Sequence, residues 1–90
     1  MSLLSPNLKA FMSITKEGTV HGAASSLGIT QTGVTQRIRS LEKEIGTTLF
    51  IRSRKGMGLT PEGEALLRYC RNVLELESQN LNTIFRLGED

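Results

Sequence analysis

Ninety residues are enough for one domain around a small core. The formal charge is only +2, no apolar run approaches the length of a membrane span, and the sole cysteine, Cys70, has no partner for an internal disulfide. These features exclude a membrane-spanning protein and a disulfide scaffold, and they fit a cytoplasmic protein; no repeat, low-complexity segment or cluster with metal-ligand spacing is present, so no cofactor is expected. The small net charge conceals an asymmetry. Residues 31–60 carry six Lys/Arg (Arg37, Arg39, Lys43, Arg52, Arg54, Lys55) against Glu42 and Glu44, whereas residues 61–90 carry three against six acids. A cationic surface confined to one part of the chain is the footprint of a polyanionic partner, although it is also compatible with a chance cluster.

In chain order, Met1 to Leu4 reads as a leader. Ser5-Pro6 then reads as an N-cap followed by a first-turn proline. Leu8, Phe11, Met12 and Thr15 give a mostly apolar face, and Gly18 ends this first helix. Thr19 is placed to cap a second helix. Its apolar positions Val20, Ala23, Ala24 and Leu27 follow the i, i+3, i+4, i+7 spacing, and its Ala-Ala pair permits close packing. Gly28 suits the left-handed end of that helix, Ile29 fills the corner, and Thr30 caps the next helix. His21, the only histidine, lies near the start of the second helix on its less apolar side. It has no nearby partners for catalysis or metal binding, which leaves a structural role or a phosphate contact at a helix N-terminus.

The third helix carries the main functional signal. Val34, Ile38, Leu41 and Ile45 form a narrow apolar stripe. At the helical period, Thr32, Gln36, Arg39 and Lys43 lie opposite it, with Gln31, Gly33 and Thr35 near the N-terminal end. That face holds hydrogen-bonding and cationic side chains and no acid. Gln and Arg can make bidentate contacts to base edges in the major groove, and Thr can touch a phosphate or a thymine methyl. A solvated helix face is the plainer reading. The small-residue helix and tight turn before it favour a helix-turn-helix.

Gly46 closes this helix. Leu49-Phe50-Ile51 and Leu59-Thr60 flank a basic, glycine-containing stretch, Arg52 to Gly58, a pattern that predicts a β-hairpin wing with Phe50 and Leu59 facing the core. Arg52, Arg54 and Lys55 would be held toward phosphates or the minor groove. For Arg52, which is close to the strand, the alternative is an ion pair with Glu42 or Glu44 that fixes the wing. Thr60-Pro61-Glu62 then starts a helix running to about Leu87. Ala65, Leu66, Leu67, Tyr69, Cys70, Val73 and Leu74 are apolar nearly all round, and Leu81, Ile84, Phe85 and Leu87 follow a polar patch from Glu77 to Asn80. Such a helix is too long for a small domain to cover. Pairing with a second copy through Leu66, Tyr69, Cys70, Val73, Leu74, Leu81 and Ile84 would bury the excess, and a frayed monomer tail is the alternative. The expected fold is therefore mainly α: a winged helix-turn-helix over residues 1–60, with three helices and a short hairpin, then a linker or dimerisation helix over residues 61–90.

Taken together, Gly18-Thr19-Val20, Ala23-Ala24, Leu27, Gln31, Val34-Thr35, Ile38, Leu41-Glu42, Gly46, Leu49-Phe50, Arg52 and Leu59-Thr60-Pro61-Glu62-Gly63 resemble the DNA-binding domain of LysR-type transcriptional regulators. The resemblance runs from about Leu8 to Leu67. It implies a bacterial transcription factor, not an enzyme, that binds an inverted-repeat operator in double-stranded DNA as a homodimer. Carried over, base contacts fall on Gln31, Thr32, Gly33, Thr35, Gln36 and Arg39, flanking contacts fall on Arg52, Arg54 and Lys55, and the cap Thr30 joins them in the DNA-binding set. It also implies a C-terminal effector-sensing domain beyond these residues, through which alone a small molecule would act. Relative to the family pattern, threonine stands for serine at Thr30 and Thr35. Gly33 replaces alanine or proline, removing a methyl that could touch DNA. Lys55 replaces arginine, and His21 replaces threonine or serine. Two other readings are a winged-helix regulator of the molybdate-responsive type and a helical protein-interaction module.

Overall fold

The computed structural model describes residues 5–88, with side chains described through Asn80. Four helices and one hairpin follow in the order α1 (Pro6–Glu17), α2 (Val20–Leu27), α3 (Gln31–Ile45), β1 (Phe50–Ser53), β2 (Gly56–Leu59) and α4 (Pro61–Gly88). The boundaries come from local chemistry. Ser5, Thr19 and Thr30 each turn a side-chain oxygen onto a first-turn amide, of Leu8, Gly22 and Gly33 respectively. Gly18, Gly28 and Gly46 end the first three helices in the left-handed region, at φ 80°, 68° and 84°.

The core forms where α1, α2 and α3 meet the base of the hairpin. Phe11, Ile14, Val34, Leu49 and Cys70 are its largest fully buried side chains. Phe11 packs against Phe50 with ring centroids 5.3 Å apart and the planes tilted by 46°. Ala23 and Ala24 are also buried, so the backbone of α2 comes close to its neighbours. Two stripes differ from the sequence expectation. On α1 the innermost residues are Ala10, Phe11 and Ile14, with Leu8 and Met12 only partly buried. Thr15 turns its hydroxyl to the Met12 carbonyl, 2.7 Å away, and so satisfies itself locally. On α3 the stripe stops at Leu41. Ile45 is 46 % exposed because the last turn of the helix passes the edge of the core.

The hairpin is antiparallel, with Phe50 opposite Leu59 and Ser53 opposite Gly56, which leaves Arg54 and Lys55 as the turn. Gly56 takes φ 119°, a conformation costly for any residue with a Cβ. Its neighbour Met57 donates its amide to the Gly18 carbonyl (3.4 Å), so the hairpin leans on the α1–α2 corner. The hairpin base is joined to α3 by the Leu49 amide, which donates to Glu42 Oε2 at 2.6 Å. Glu42 thus secures the strand itself, in the place where an ion pair with Arg52 was one expectation.

The start of α4 is welded to the same strand. Thr60 donates its hydroxyl to the Thr48 carbonyl (2.7 Å) and its amide to the Leu49 carbonyl (3.0 Å), and its Oγ1 accepts from the Gly63 amide (3.0 Å). Leu66 and Leu67 are partly buried and pack against the core, and Cys70 is fully enclosed by it. The assignment of Cys70 to a dimer surface is therefore corrected: a side chain with no exposed surface in one chain has nothing to offer a second. Burial pushes the Cys70 thiol up in pKa, which keeps it a neutral core group at physiological pH. Past Cys70, Val73 and Leu74 are still half-buried, and Glu75 and Leu76 are exposed.

Candidate nucleic-acid interface

The α2–turn–α3 unit presents α3 with one face buried and one open. Val34, Ile38 and Leu41 hold it to the core, while Gln31, Thr32, Gln36, Arg39 and Lys43 are exposed on the other side. The hairpin stands beside that open face. Between them lies a cleft lined by Gln31, Thr32, Thr35, Gln36 and Arg39 from α3, by Arg52, Ser53, Gly56 and Met57 from the hairpin, and by Thr19 and Val20 from the start of α2. No carboxylate lines it among the described residues. Six of the ten residues predicted to touch DNA thus share one concave surface built from three separate elements. An unopposed cationic and amide-rich cleft attracts an anion and offers hydrogen bonds with direction.

The other four stand apart from this cleft. Arg54 and Lys55 are exposed at the hairpin tip, where they form its two-residue turn. Thr30 and Gly33 are occupied with each other: the Gly33 amide donates to Thr30 Oγ1 at 2.9 Å. A Cβ at Gly33 would lie 3.1 Å from that hydroxyl and 3.7 Å from the Ile29 side chain. A methyl here would thus press on the capping hydroxyl, which would have to give by a few tenths of an ångström.

Thr19 and Ser53 are lining residues that the sequence reading did not single out. Thr19 looked fully explained as a cap, and Ser53 became visible only once the hairpin register placed it at the cleft rim. A polar link also joins the two helix starts. Gln31 Nε2 lies 3.0 Å from His21 Nδ1, which gives His21 a side-chain partner.

On α4 the residues expected at a dimer surface divide into two sets. Leu66, Val73 and Leu74 are half-buried, with Leu74 bordering a groove against α1. Tyr69 is 57 % exposed, and Leu76, absent from the expected set, is equally so. Ala65, Tyr69 and Leu76 lie on one helical face pointing away from the core. Leu81 and Ile84 lie outside the residues whose side chains are described.

Comparison with known proteins converges on one group. YusT, an HTH-type transcriptional regulator of Bacillus subtilis, is 44 % identical over 72 residues, which cover 80 % of this chain and 24 % of that protein. The chain therefore spans about a quarter of the length of this relative. Among solved structures, the BenM DNA-binding domain in complex with catB site 1 DNA superposes with a TM-score of 0.85 at 27 % identity, over 93 % of this chain and 94 % of that one. Full-length LysG from Corynebacterium glutamicum with bound effector Arg gives a TM-score of 0.83 at 30 % identity, over 97 % of this chain and 30 % of that one. The sequence pattern defining the bacterial regulatory helix-turn-helix proteins of the lysR family matches residues 6–64, from the first turn of α1 into α4, and the chain belongs to that family.

Proposed function

We propose that this chain is the DNA-binding part of a bacterial LysR-type transcriptional regulator and reads double-stranded DNA as a homodimer. The observation that carries the proposal is the acid-free cleft joining Gln31, Thr32, Thr35, Gln36 and Arg39 of α3 to Arg52 of the hairpin. The major groove admits an α-helix, and α3 is held so that its amide and guanidinium side chains lead. Arg39 suits the O6 and N7 of guanine, and Gln31 and Gln36 suit the N6 and N7 of adenine. Thr32 and Thr35 suit a phosphate oxygen or a thymine methyl. Thr30 and Gly33 contribute by fixing the N-terminus of α3, which favours a phosphate beside it. Arg52 faces the cleft. Arg54 and Lys55 at the tip reach the flanking backbone or minor groove.

Pairing through α4, over the exposed Tyr69 and Leu76 together with the adjoining Val73, would place two copies of α3 about one turn of DNA apart on an inverted repeat. The protein would work in the cytoplasm as a binding protein rather than an enzyme. A small-molecule effector would act on it through a separate domain, in keeping with the relative whose length is only 24 % covered. Of the described helices, none is long and apolar enough to cross a membrane.

The test is the salt dependence of duplex binding by the ninety-residue chain and by its Arg54→Gln/Lys55→Gln variant. Each phosphate contact contributes about 0.9 to the slope of log K against log salt. The variant should lose about 2 from that slope while keeping the same sequence preference. An unchanged slope would remove the hairpin tip from the interface, and failure of the unmodified chain to bind duplex at low salt would contradict the function itself.

A further inference from the structure

Among the described residues, Gln31 is the one long side chain of the proposed reading face with a hydrogen-bond partner on another element. It is the first residue of α3, and His21 sits in the first turn of α2, ten positions earlier. The contact depends on the corner between the helices, which is fixed by Gly28 at φ 68° and by Thr30 capping α3. Both side chains are otherwise exposed, and nothing in the core requires either of them.

A glutamine amide carries one carbonyl oxygen and two N–H donors. With Nε2 donating to His21 Nδ1, one N–H is engaged. The second N–H and Oε1 remain, and these are the donor and acceptor that match the N7 and N6 groups of adenine. An unrestrained exposed glutamine samples many rotamers and turns its amide over freely, so it presents that pair in either order. Holding the nitrogen end against the imidazole fixes the order. We propose that His21 is a positioning residue for base recognition: its Nδ1 holds the Gln31 amide and so sets which edge of that amide meets the base. In this arrangement His21 is neutral and its proton is on Nε2. The inference rests on the proposed reading of DNA by α3.

The test compares the ninety-residue chain with His21→Ala, His21→Leu and His21→Asn, each alone and combined with Gln31→Ala. Binding is measured to a preferred duplex and to every single-base-pair variant of it. Gln31→Ala first identifies the position that Gln31 reads. His21→Ala and His21→Leu should reduce discrimination at that position by about three- to tenfold, the range expected when a side chain must be ordered during binding. Discrimination at positions governed by Gln36 and Arg39 should not change. His21→Asn should restore the preference, because its Oδ1 occupies the same place on Cγ as the imidazole Nδ1 and accepts the same hydrogen bond. In the Gln31→Ala background the His21 substitutions should have no further effect on discrimination. A uniform loss at all positions would overturn the proposal and make His21 a phosphate contact, and so would unchanged discrimination in His21→Ala. If the unmodified chain shows no base preference at any position, the DNA-reading function fails instead. Far-ultraviolet circular dichroism of each variant separates these outcomes from unfolding.

Discussion

A Gln36→Ala/Arg39→Ala chain is expected to fold normally and to hold duplex DNA, but to choose poorly among sequences. Both residues are exposed on the side of α3 away from Val34, Ile38 and Leu41, and both line the cleft shared with the hairpin. Neither packs in the core, and alanine is at least as good a helix former, so stability should move by no more than about 0.5 kcal/mol. Selectivity is different. A well-made bidentate contact from Arg to guanine or Gln to adenine contributes about 1–3 kcal/mol of discrimination against the wrong base. Losing two should cost on the order of a hundredfold or more in the ratio of specific to non-specific affinity, and loss of the Arg39 cation should also flatten the salt slope by up to about 1. Competition between a preferred duplex and a scrambled one measures this ratio. An unchanged ratio would show that a different face reads the DNA.

The largest effect on stability is expected at Gly63. A Cβ there would overlap the carbonyl oxygen of Leu49, and it would also press to 3.0 Å on the Leu59 side chain. The Leu49 oxygen is backbone and cannot swing aside, and it already accepts from the Thr60 amide at 3.0 Å. Gly63→Ala must therefore push the start of α4 away from the base of the hairpin. That movement strains the bonds from Thr60 to Thr48 and from Gly63 to Thr60. Alanine would gain about 1 kcal/mol in helix propensity. Forced backbone shifts, together with weakened hydrogen bonds at this junction, should outweigh it and leave a net loss of about 2 kcal/mol or more. For a domain of this size that lowers the thermal midpoint by roughly 8–16 °C. A midpoint that stays or rises on heating the variant would contradict the packing described at this junction.

The parts of the fold that were legible in the sequence are those governed by neighbours in the chain. The caps at Ser5, Thr19, Thr30 and Thr60 each involve a side chain and an amide three residues on, so the residue types alone reveal them. The left-handed turns at Gly18, Gly28 and Gly46 were legible for the same reason. The open face of α3 followed from helical period, since Val34, Ile38 and Leu41 could face only one way.

What escaped the sequence was set by distance along the chain. Periodicity marks Cys70 as facing something apolar, but it does not distinguish this chain's own core from a partner's surface. In the fold Cys70 is inside, and among the described residues of α4 the exposed large apolar side chains are Tyr69 and Leu76. Ile45 continued the stripe of α3 in sequence after the core beneath it had ended. The overlap of a Gly63 side chain with Leu49, the use of Glu42 to hold the Leu49 amide, and the link between His21 and Gln31 all join residues seven or more positions apart. No local pattern announces such pairs. The cleft itself was half visible, because α3 could be read alone while the contributions of Thr19 and Ser53 needed the hairpin's register and its lean against Gly18.

The most direct measurement is selection of bound duplexes by this chain from a random pool at moderate salt. An inverted repeat should be enriched, with half-sites centred about one helical turn apart, as two α3 helices on a two-fold axis require. Recovery of sequences with no common site, from binding that falls steeply with salt, would show that the chain grips phosphates without reading bases and would contradict the role assigned to α3.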